Sequence, residues 1–278
     1  MLEPDIVKDT EMEILLKDIS SIYGYDFTQY SRASLKRRLN RICVIDKFTG
    51  FAELRYKLIN DASYLPRFVE EITVNVTEMF RDPHFYKALR MHILPVLGTY
   101  PFIRIWIAGC ATGEEAYSLA ILLKEAGLYD KSLIYATDIN SGALEKASKG
   151  IFPAAPMKQY AENYILSGGN EDFSSYYVSQ YDWVRFHAEL NTKIIFSTHN
   201  LVSDSSFNEF QLILCRNVLI YFNKELQNRV FRLFDESLQS LGYLALGTKE
   251  TILFANLDHK YRQCKDEKIW KKIMHESL

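Results

Sequence analysis

The sequence predicts an α/β protein built on a doubly wound, mainly parallel sheet, preceded by a small all-helical unit and interrupted by a small antiparallel β insertion. Three observations carry this expectation. Ile103 to Ser118, IRIWIAGCATGEEAYS, reads as strand, glycine turn and helix. Leu133-Ile134-Tyr135-Ala136-Thr137 is a second strand, ending on Asp138. Beyond it strand and helix patterns alternate, as a parallel sheet requires. In such folds ligands bind past the carboxyl ends of the strands.

Taken in order, the first seventy or so residues read as helices. Met12, Leu15, Leu16, Ile19 and Ile22 recur at helical spacing, as do Leu65, Phe68, Val69 and Ile72. Between them Leu35, Leu39 and Ile42 form one stripe, beside a dense basic surface of Lys36, Arg37, Arg38 and Arg41. The expected organisation is a helical unit over 1–76, a linker over 77–101 and a ligand-binding unit over 102–278. Pro95 to Pro101, with Gly98 inside it, leads into the first strand.

The strand–helix rhythm fails between about Gln159 and Lys193. There Tyr164-Ile165-Leu166, Tyr176-Tyr177-Val178 and Trp183-Val184-Arg185-Phe186 read as short antiparallel strands, with a turn at Ser167-Gly168-Gly169-Asn170. This predicts a β insertion at about 160–192. Ile194-Ile195-Phe196 and Leu212-Ile213-Leu214 resume the sheet, Lys224 to Leu241 reads as one long amphipathic helix, and Tyr243 to Leu246 begins the last strands.

Composition narrows the function. A chain of 278 residues holds one sizeable domain plus a small one. A net charge of −2 supplies no global field for nucleic acid. The acidic start, MLEPDIVKDTEMEILL, is unlike a secretory signal, and no apolar run approaches a membrane span. Cys43, Cys110, Cys215 and Cys264 are scattered without a CxxC, which fits reduced thiols in a cytoplasmic protein. There is no HExxH, no GxSxG and no ligand spacing among the six histidines, so neither a metal nor a nucleophilic triad is expected.

The charge at the glycine turn bears on the ligand. A phosphate site wants bare amides at a helix start. Here Glu114 and Glu115 occupy that place, which would repel a pyrophosphate and favour a cation such as S-adenosylmethionine, with its ammonium and sulfonium. Acidic residues in a first helical turn are also ordinary dipole partners. Asp138 ends the second strand, where such folds hold ribose hydroxyls; the plainer alternative is a cap for the segment Ser141 to Lys149.

Four motifs, NVTEMFRD, IAGCATGEEAYSLA, ATDIN and CRNVLIYF, closely resemble the CheR family, the S-adenosylmethionine-dependent glutamate O-methyltransferases of bacterial chemotaxis. The likeness runs in order from about residue 12 to residue 272. It implies a class I methyltransferase fold, S-adenosylmethionine as methyl donor and S-adenosylhomocysteine as product. The acceptors would be glutamates on the cytoplasmic helical bundle of a chemoreceptor.

Site residues carry over position by position. Asn75, Thr77 and Arg81 match the lining of the cofactor pocket, with the arginine near the transferred methyl. Met79 stands where the family usually has an aromatic. Read without the resemblance, NVTEMFR is more simply a linker helix, capped by Asn75 or Thr77 and with Arg81 paired to Glu78 or Asp82; the resemblance favours the site. Gly109 lies in the cofactor turn. Glu115 matches the residue that receives the cofactor's amino group, with Glu114 the partner if the turn is shifted by one. Asp138 matches the ribose ligand, and Asn200 with Leu201 an adenine pair. Cys215, Arg216 and Asn217 match the segment that closes over the cofactor, and Tyr221 the hydroxyl aimed at the reaction centre.

The resemblance further implies that Arg81 and Tyr221 orient the target carboxylate, and that Arg37, Arg38 and Arg41 dock the acidic receptor bundle. The Ser167 to Glu171 loop does not match the glycine loop with which some members grip a receptor's C-terminal peptide, so no such tether is expected. A monomer with no nucleic-acid partner and no membrane insertion is anticipated. Two other readings compete: a CheR-like cofactor-binding module that signals through protein contacts, and a methyltransferase with a small acceptor. Retention of Arg81 and Tyr221 argues against the first, and the basic helical unit against the second.

Overall fold

The computed structural model describes residues 7–253, 255, 257–264 and 267–273. Residues 1–6 of the expected helical unit and 274–278 of the expected ligand-binding unit lie outside them.

Helices α1 (Asp9–Tyr23), α2 (Arg32–Ile45), α3 (Phe51–Asn60) and α4 (Leu65–Ile72) form the first unit. Met12, Leu15, Leu16, Ile19, Leu35, Leu39, Ile42, Phe68, Val69 and Ile72 share one core with Phe27, which is what the helical stripes required. Ile22 departs from its stripe: one residue before the end of α1, it is half exposed. Gly24 stops α1 in the left-handed region, φ 76°, where a side chain is disfavoured.

After α4 the chain runs irregularly from Thr73 to Asp82 and then folds as α5 (Pro83–Ala88), a π-turn (Leu89–Ile93) and α6 (Leu94–Leu97). NVTEMFR is therefore not a helix. Phe80 and Asp82 take positive φ, and Met79 and Phe80 are fully buried against the sheet core.

The main sheet has seven strands. They are β1 (Ile103–Ala108), β2 (Ser132–Asp138), β6 (Ile194–Thr198), β7 (Phe210–Cys215), β8 (Leu238–Leu246), β9 (Tyr261–Gln263) and β10 (Ile269–Lys272), in the order β6-β2-β1-β7-β8-β10-β9. The first five are parallel, and β10 runs antiparallel between β8 and β9. This is the class I methyltransferase sheet, doubly wound as the sequence predicted. Helices α7 (Glu114–Glu125), α8 (Ser141–Lys149) and α10 (Lys224–Ser237) belong to it. The order turns over between β1 and β7, so the crevice for a ligand opens there, at the ends of β1, β2 and β7.

Two local expectations are corrected. Tyr164-Ile165-Leu166 is not a strand but the end of helix α9 (Met157–Leu166), where Met157, Tyr160 and Tyr164 point inward at helical spacing. The small antiparallel sheet is built from β3 (Ile151–Pro153), β4 (Tyr177–Gln180) and β5 (Trp183–Phe186) in the order β3-β5-β4, so it begins before residue 160. The long helix also stops at Ser237 rather than Leu241, because Leu238 already enters β8, opposite Phe210, ahead of a register shift. Among the described residues no helix is long and apolar enough to cross a membrane.

Candidate functional site

The crevice begins at the glycine turn. The amides of Gly109 and Cys110 both donate to the Thr137 carbonyl, at 2.8 and 2.9 Å, folding the turn against the end of β2. Gly109 has φ 86°, and a Cβ there would stand 2.4 Å from the Val218 side chain. Gly113 has φ 95°, and its Cβ would meet that of Ala147 at 2.8 Å. Both positions need glycine for conformation and for space.

Asp138 closes the turn from the other strand. Its Oδ2 accepts from the Ala111 amide at 2.8 Å and its Oδ1 from the Asn140 amide at 2.9 Å. Burial holds the carboxyl above its usual pKa, and the three backbone amides facing it pull the other way. The cap of α8 is Asn140, whose Oδ1 accepts from the Ala143 amide at 3.1 Å. Asp138 is thus spared the capping role and stays in the wall of the crevice.

The two glutamates of α7 separate. Glu114 faces inward, where its Oε2 accepts from the Thr112 hydroxyl at 2.7 Å and burial pushes its pKa up to about 7. Glu115 lines the crevice. Its Oε1 accepts from Arg216 Nη1 at 2.7 Å and, at the limit of a hydrogen bond, from the Tyr86 hydroxyl at 3.5 Å. Its Oε2 accepts from none of the described residues, which leaves it open to a cation.

Arg216 is the pivot of the site. Its side chain is 3% exposed, bonded to Glu115, to Asp82 at 2.7 Å and to the Arg81 carbonyl at 3.0 Å, with the Phe85 ring 4.0 Å below the guanidinium. Burial opposes its charge, but Glu115 outweighs burial with help from Tyr86 and Asp82, so the group is held above its usual pKa. A buried cation needs such partners. Through them Arg216 ties the end of β7 to α7 and to the irregular Thr73–Asp82 segment.

The crevice spans about 1040 Å³ of non-atom space, open solvent at its mouth included. It brings together Asn75, Thr77, Arg81, Gly109, Glu115, Asp138, Asn200, Leu201, Arg216, Asn217 and Tyr221 from segments far apart in sequence. Asn75 is steadied by the Glu70 carbonyl at 3.2 Å, and Arg81 Nη1 lies 3.3 Å from the Val76 carbonyl. Asn200 spends its Oδ1 on the Val202 amide at 3.0 Å.

Two expected residues stand elsewhere. Cys215 has no exposure and packs into the core behind the sheet, because alternation along β7 turns it away from the crevice that Arg216 faces. Arg38 is not on the exposed basic surface. Its Nη1 donates to the Glu71 and Thr73 carbonyls, both at 3.0 Å, bracing the segment that leads to Asn75. Arg37 and Arg41 are exposed, with Arg41 Nε 3.4 Å from Glu71.

Other contributors had no signal in the motifs. Glu250 is buried, and its carboxylate accepts from the amides of Gly247 at 2.6 Å, Asn217 at 2.9 Å and Ile220 at 3.3 Å. It anchors the segment carrying Tyr221. Tyr30, Ser34 and Leu35 bring the helical unit into the crevice wall. Among the described residues no group of three or more His, Cys, Asp or Glu stands where it could hold a metal.

An open carboxylate at a helix start, a second acid at the end of β2 and a glycine turn without space for a Cβ suit S-adenosylmethionine, a nucleoside sulfonium that also carries an ammonium. Comparison with known proteins agrees. Residues 75–269 match the CheR methyltransferase SAM-binding domain, and residues 10–73 the CheR methyltransferase all-alpha domain. A Pseudomonas putida protein named "Putative methyltransferase Cher3" is 44% identical over 266 residues, covering 95% of this chain and 97% of that protein. A chemotaxis protein methyltransferase from Listeria innocua is 32% identical, covering 90% of this chain and 92% of its own. Another from Salmonella typhimurium is 33% identical, covering 82% and 76%. S-adenosylmethionine is the cofactor, and the chain belongs to the CheR methyltransferase family.

Proposed function

We propose that the chain methylates glutamate side chains of a chemoreceptor, forming methyl esters in sensory adaptation. The observation that carries the reading is the joining of Arg81 and Tyr221 with Glu115, Asp138 and Arg216 in one crevice. Relatives named chemotaxis protein methyltransferases support the choice of acceptor. S-adenosylmethionine supplies an electrophilic methyl on a sulfonium. The target carboxylate forms the new O–C bond as the C–S bond breaks, and S-adenosylhomocysteine leaves. A glutamate is ionised at neutral pH, so no general base is needed.

The residues therefore orient and exclude rather than transfer protons. Glu115 Oε2 takes the ammonium, Asp138 the ribose, and Asn200 with Leu201 the adenine edge. Arg81 and the Tyr221 hydroxyl align the incoming carboxylate, where proximity is the main lever. The exposed Arg37 and Arg41 face the acidic bundle, which favours on-rate and register more than affinity.

Labelled cofactor incubated with the protein and membranes containing receptors tests the reading. A base-labile labelled band of receptor size is expected; labelling confined to small molecules would overturn it. Tyr221→Phe should lower the rate of transfer far more than cofactor affinity, because it removes one orienting hydroxyl that acts in the transition state.

A further inference from the structure

The helical unit contributes more than a docking face. Gln29 to Ser31 lies beside Tyr221 to Asn223 as a short antiparallel bridge, with Tyr30 opposite Phe222. The Ser31 amide donates to the Tyr221 carbonyl at 2.7 Å, and the Asn223 amide to the Gln29 carbonyl at 2.9 Å. The Tyr30 ring is fixed edge-on between Phe222, 4.9 Å away, and Phe27, 5.2 Å away. It stands in the crevice wall with Asp138.

The hydroxyl of Tyr30 has no hydrogen-bond partner among the described residues, yet its oxygen keeps solvent access. A tyrosine tip recessed in a ligand crevice normally finds a partner. We propose that Tyr30 is a cofactor-binding residue, its hydroxyl bonding the ribose beside Asp138. Burial, and then the charges of Asp138 and Asp26, raise the phenol's pKa, so it is a neutral donor. The two groups are complementary: Asp138 can only accept, and Tyr30 can donate to a ribose oxygen already donating to Asp138. The helical unit thereby becomes part of the cofactor site, and the bridge to Tyr221 is what holds it there.

The proposal rests on the assignment of Asp138 to the ribose, and the experiment separates the two. S-adenosylhomocysteine is titrated calorimetrically into wild type, Tyr30→Phe and Asp138→Asn, with ligand-free thermal unfolding recorded for each. Tyr30→Phe keeps the ring packing and should bind about fivefold more weakly, the loss of one net hydrogen bond, with an unchanged unfolding temperature. The 2′-deoxy or 3′-deoxy analogue of the product should also lose less in Tyr30→Phe than in wild type. Unchanged affinity in Tyr30→Phe alongside weakened Asp138→Asn overturns the role of Tyr30 alone. Unchanged affinity in both removes the ribose from this corner altogether. Weakened Tyr30→Phe with undiminished discrimination against both deoxy analogues also overturns the ribose contact.

Discussion

Removing Arg216 should expose how far the site depends on one buried charge. Arg216→Leu takes out a side chain that is 3% exposed and leaves Glu115, 12% exposed, without its cation. Orphaning one member of a buried pair costs about 3–5 kcal/mol. Asp82, 34% exposed, adds little because water screens it. Glu115→Gln orphans Arg216 instead and should cost a similar amount, partly relieved by Asp82. The double variant leaves only the partly exposed Asp82 without a partner and no buried unpaired charge, so it should be less destabilised than the sum by about 2–3 kcal/mol. Urea unfolding can be followed by the fluorescence of Trp106 and Trp270, both buried in the main sheet. The exposed Trp183 contributes little change on unfolding. Additive costs within about 0.5 kcal/mol would refute the argument, leaving Arg216 a residue held by Phe85 and Asp82 rather than by Glu115.

Three further outcomes are expected. Asp138→Asn should weaken S-adenosylhomocysteine binding by about 1–3 kcal/mol in calorimetry; an unchanged constant would reduce Asp138 to its bonds with Ala111 and Asn140. Glu114 has its carboxyl raised from 4.5 to about 7 by burial, so the folded state holds its proton longer than the unfolded. Stability contributed by this group is therefore full below about pH 4.5 and declines as pH rises through about 7, by about 3 kcal/mol in all. Glu114→Gln should flatten that slope in denaturation curves from pH 5 to pH 8, and an unaltered slope would count against it. Charge reversal at Arg37 and Arg41 should cut receptor methylation, with S-adenosylhomocysteine affinity intact. Wild-type methylation should fall with added salt and the reversed variant less so; equal salt dependence would make this an ordinary solvated face.

The sheet was legible because β1 and β7 are buried on both faces, β2 is buried on one and half-buried on the other, and all three read as apolar runs closed by Gly109, Arg216 and Asp138. The small sheet was less so. β3 has three residues and ends on Pro153, too short for any period to show, while Tyr164-Ile165-Leu166 is β-favouring in type but helical in its packing. The end of α10 was hidden because Leu238 and Leu241 continue the spacing of Leu226, Val230, Phe231 and Phe234 without a break. Arg38 could have been separated from Arg37 and Arg41. It follows Leu35 by three positions and precedes Ile42 by four, and so borders the buried stripe. Tyr30 gave no such sign, since its place depends on a bridge to a segment nearly two hundred residues away.

That bridge bears on how methyl transfer to a large, acidic partner can be organised. Helix α2 is fastened at two points, both to segments in the crevice wall. Ser31, the residue that caps its start, is bonded to the Tyr221 carbonyl, and Arg38 clasps the carbonyls of Glu71 and Thr73 ahead of Asn75 and Arg81. The two residues proposed to align the acceptor thus share a frame with the basic face proposed to receive it. A helix docked on Arg37 and Arg41 would have its glutamates located relative to Tyr221 and Arg81 without a flexible joint between. Orientation is where an in-line displacement needing no general base gains most. On this reading Ser31→Pro should slow transfer to a receptor more than it weakens cofactor binding. It removes one amide at a φ of −56° that proline tolerates, while Ser31→Ala, which keeps the amide, should leave the rate intact. Equal rates in both variants would mean that Tyr221 is held by Glu250 and its own segment, with the helical unit free to dock independently.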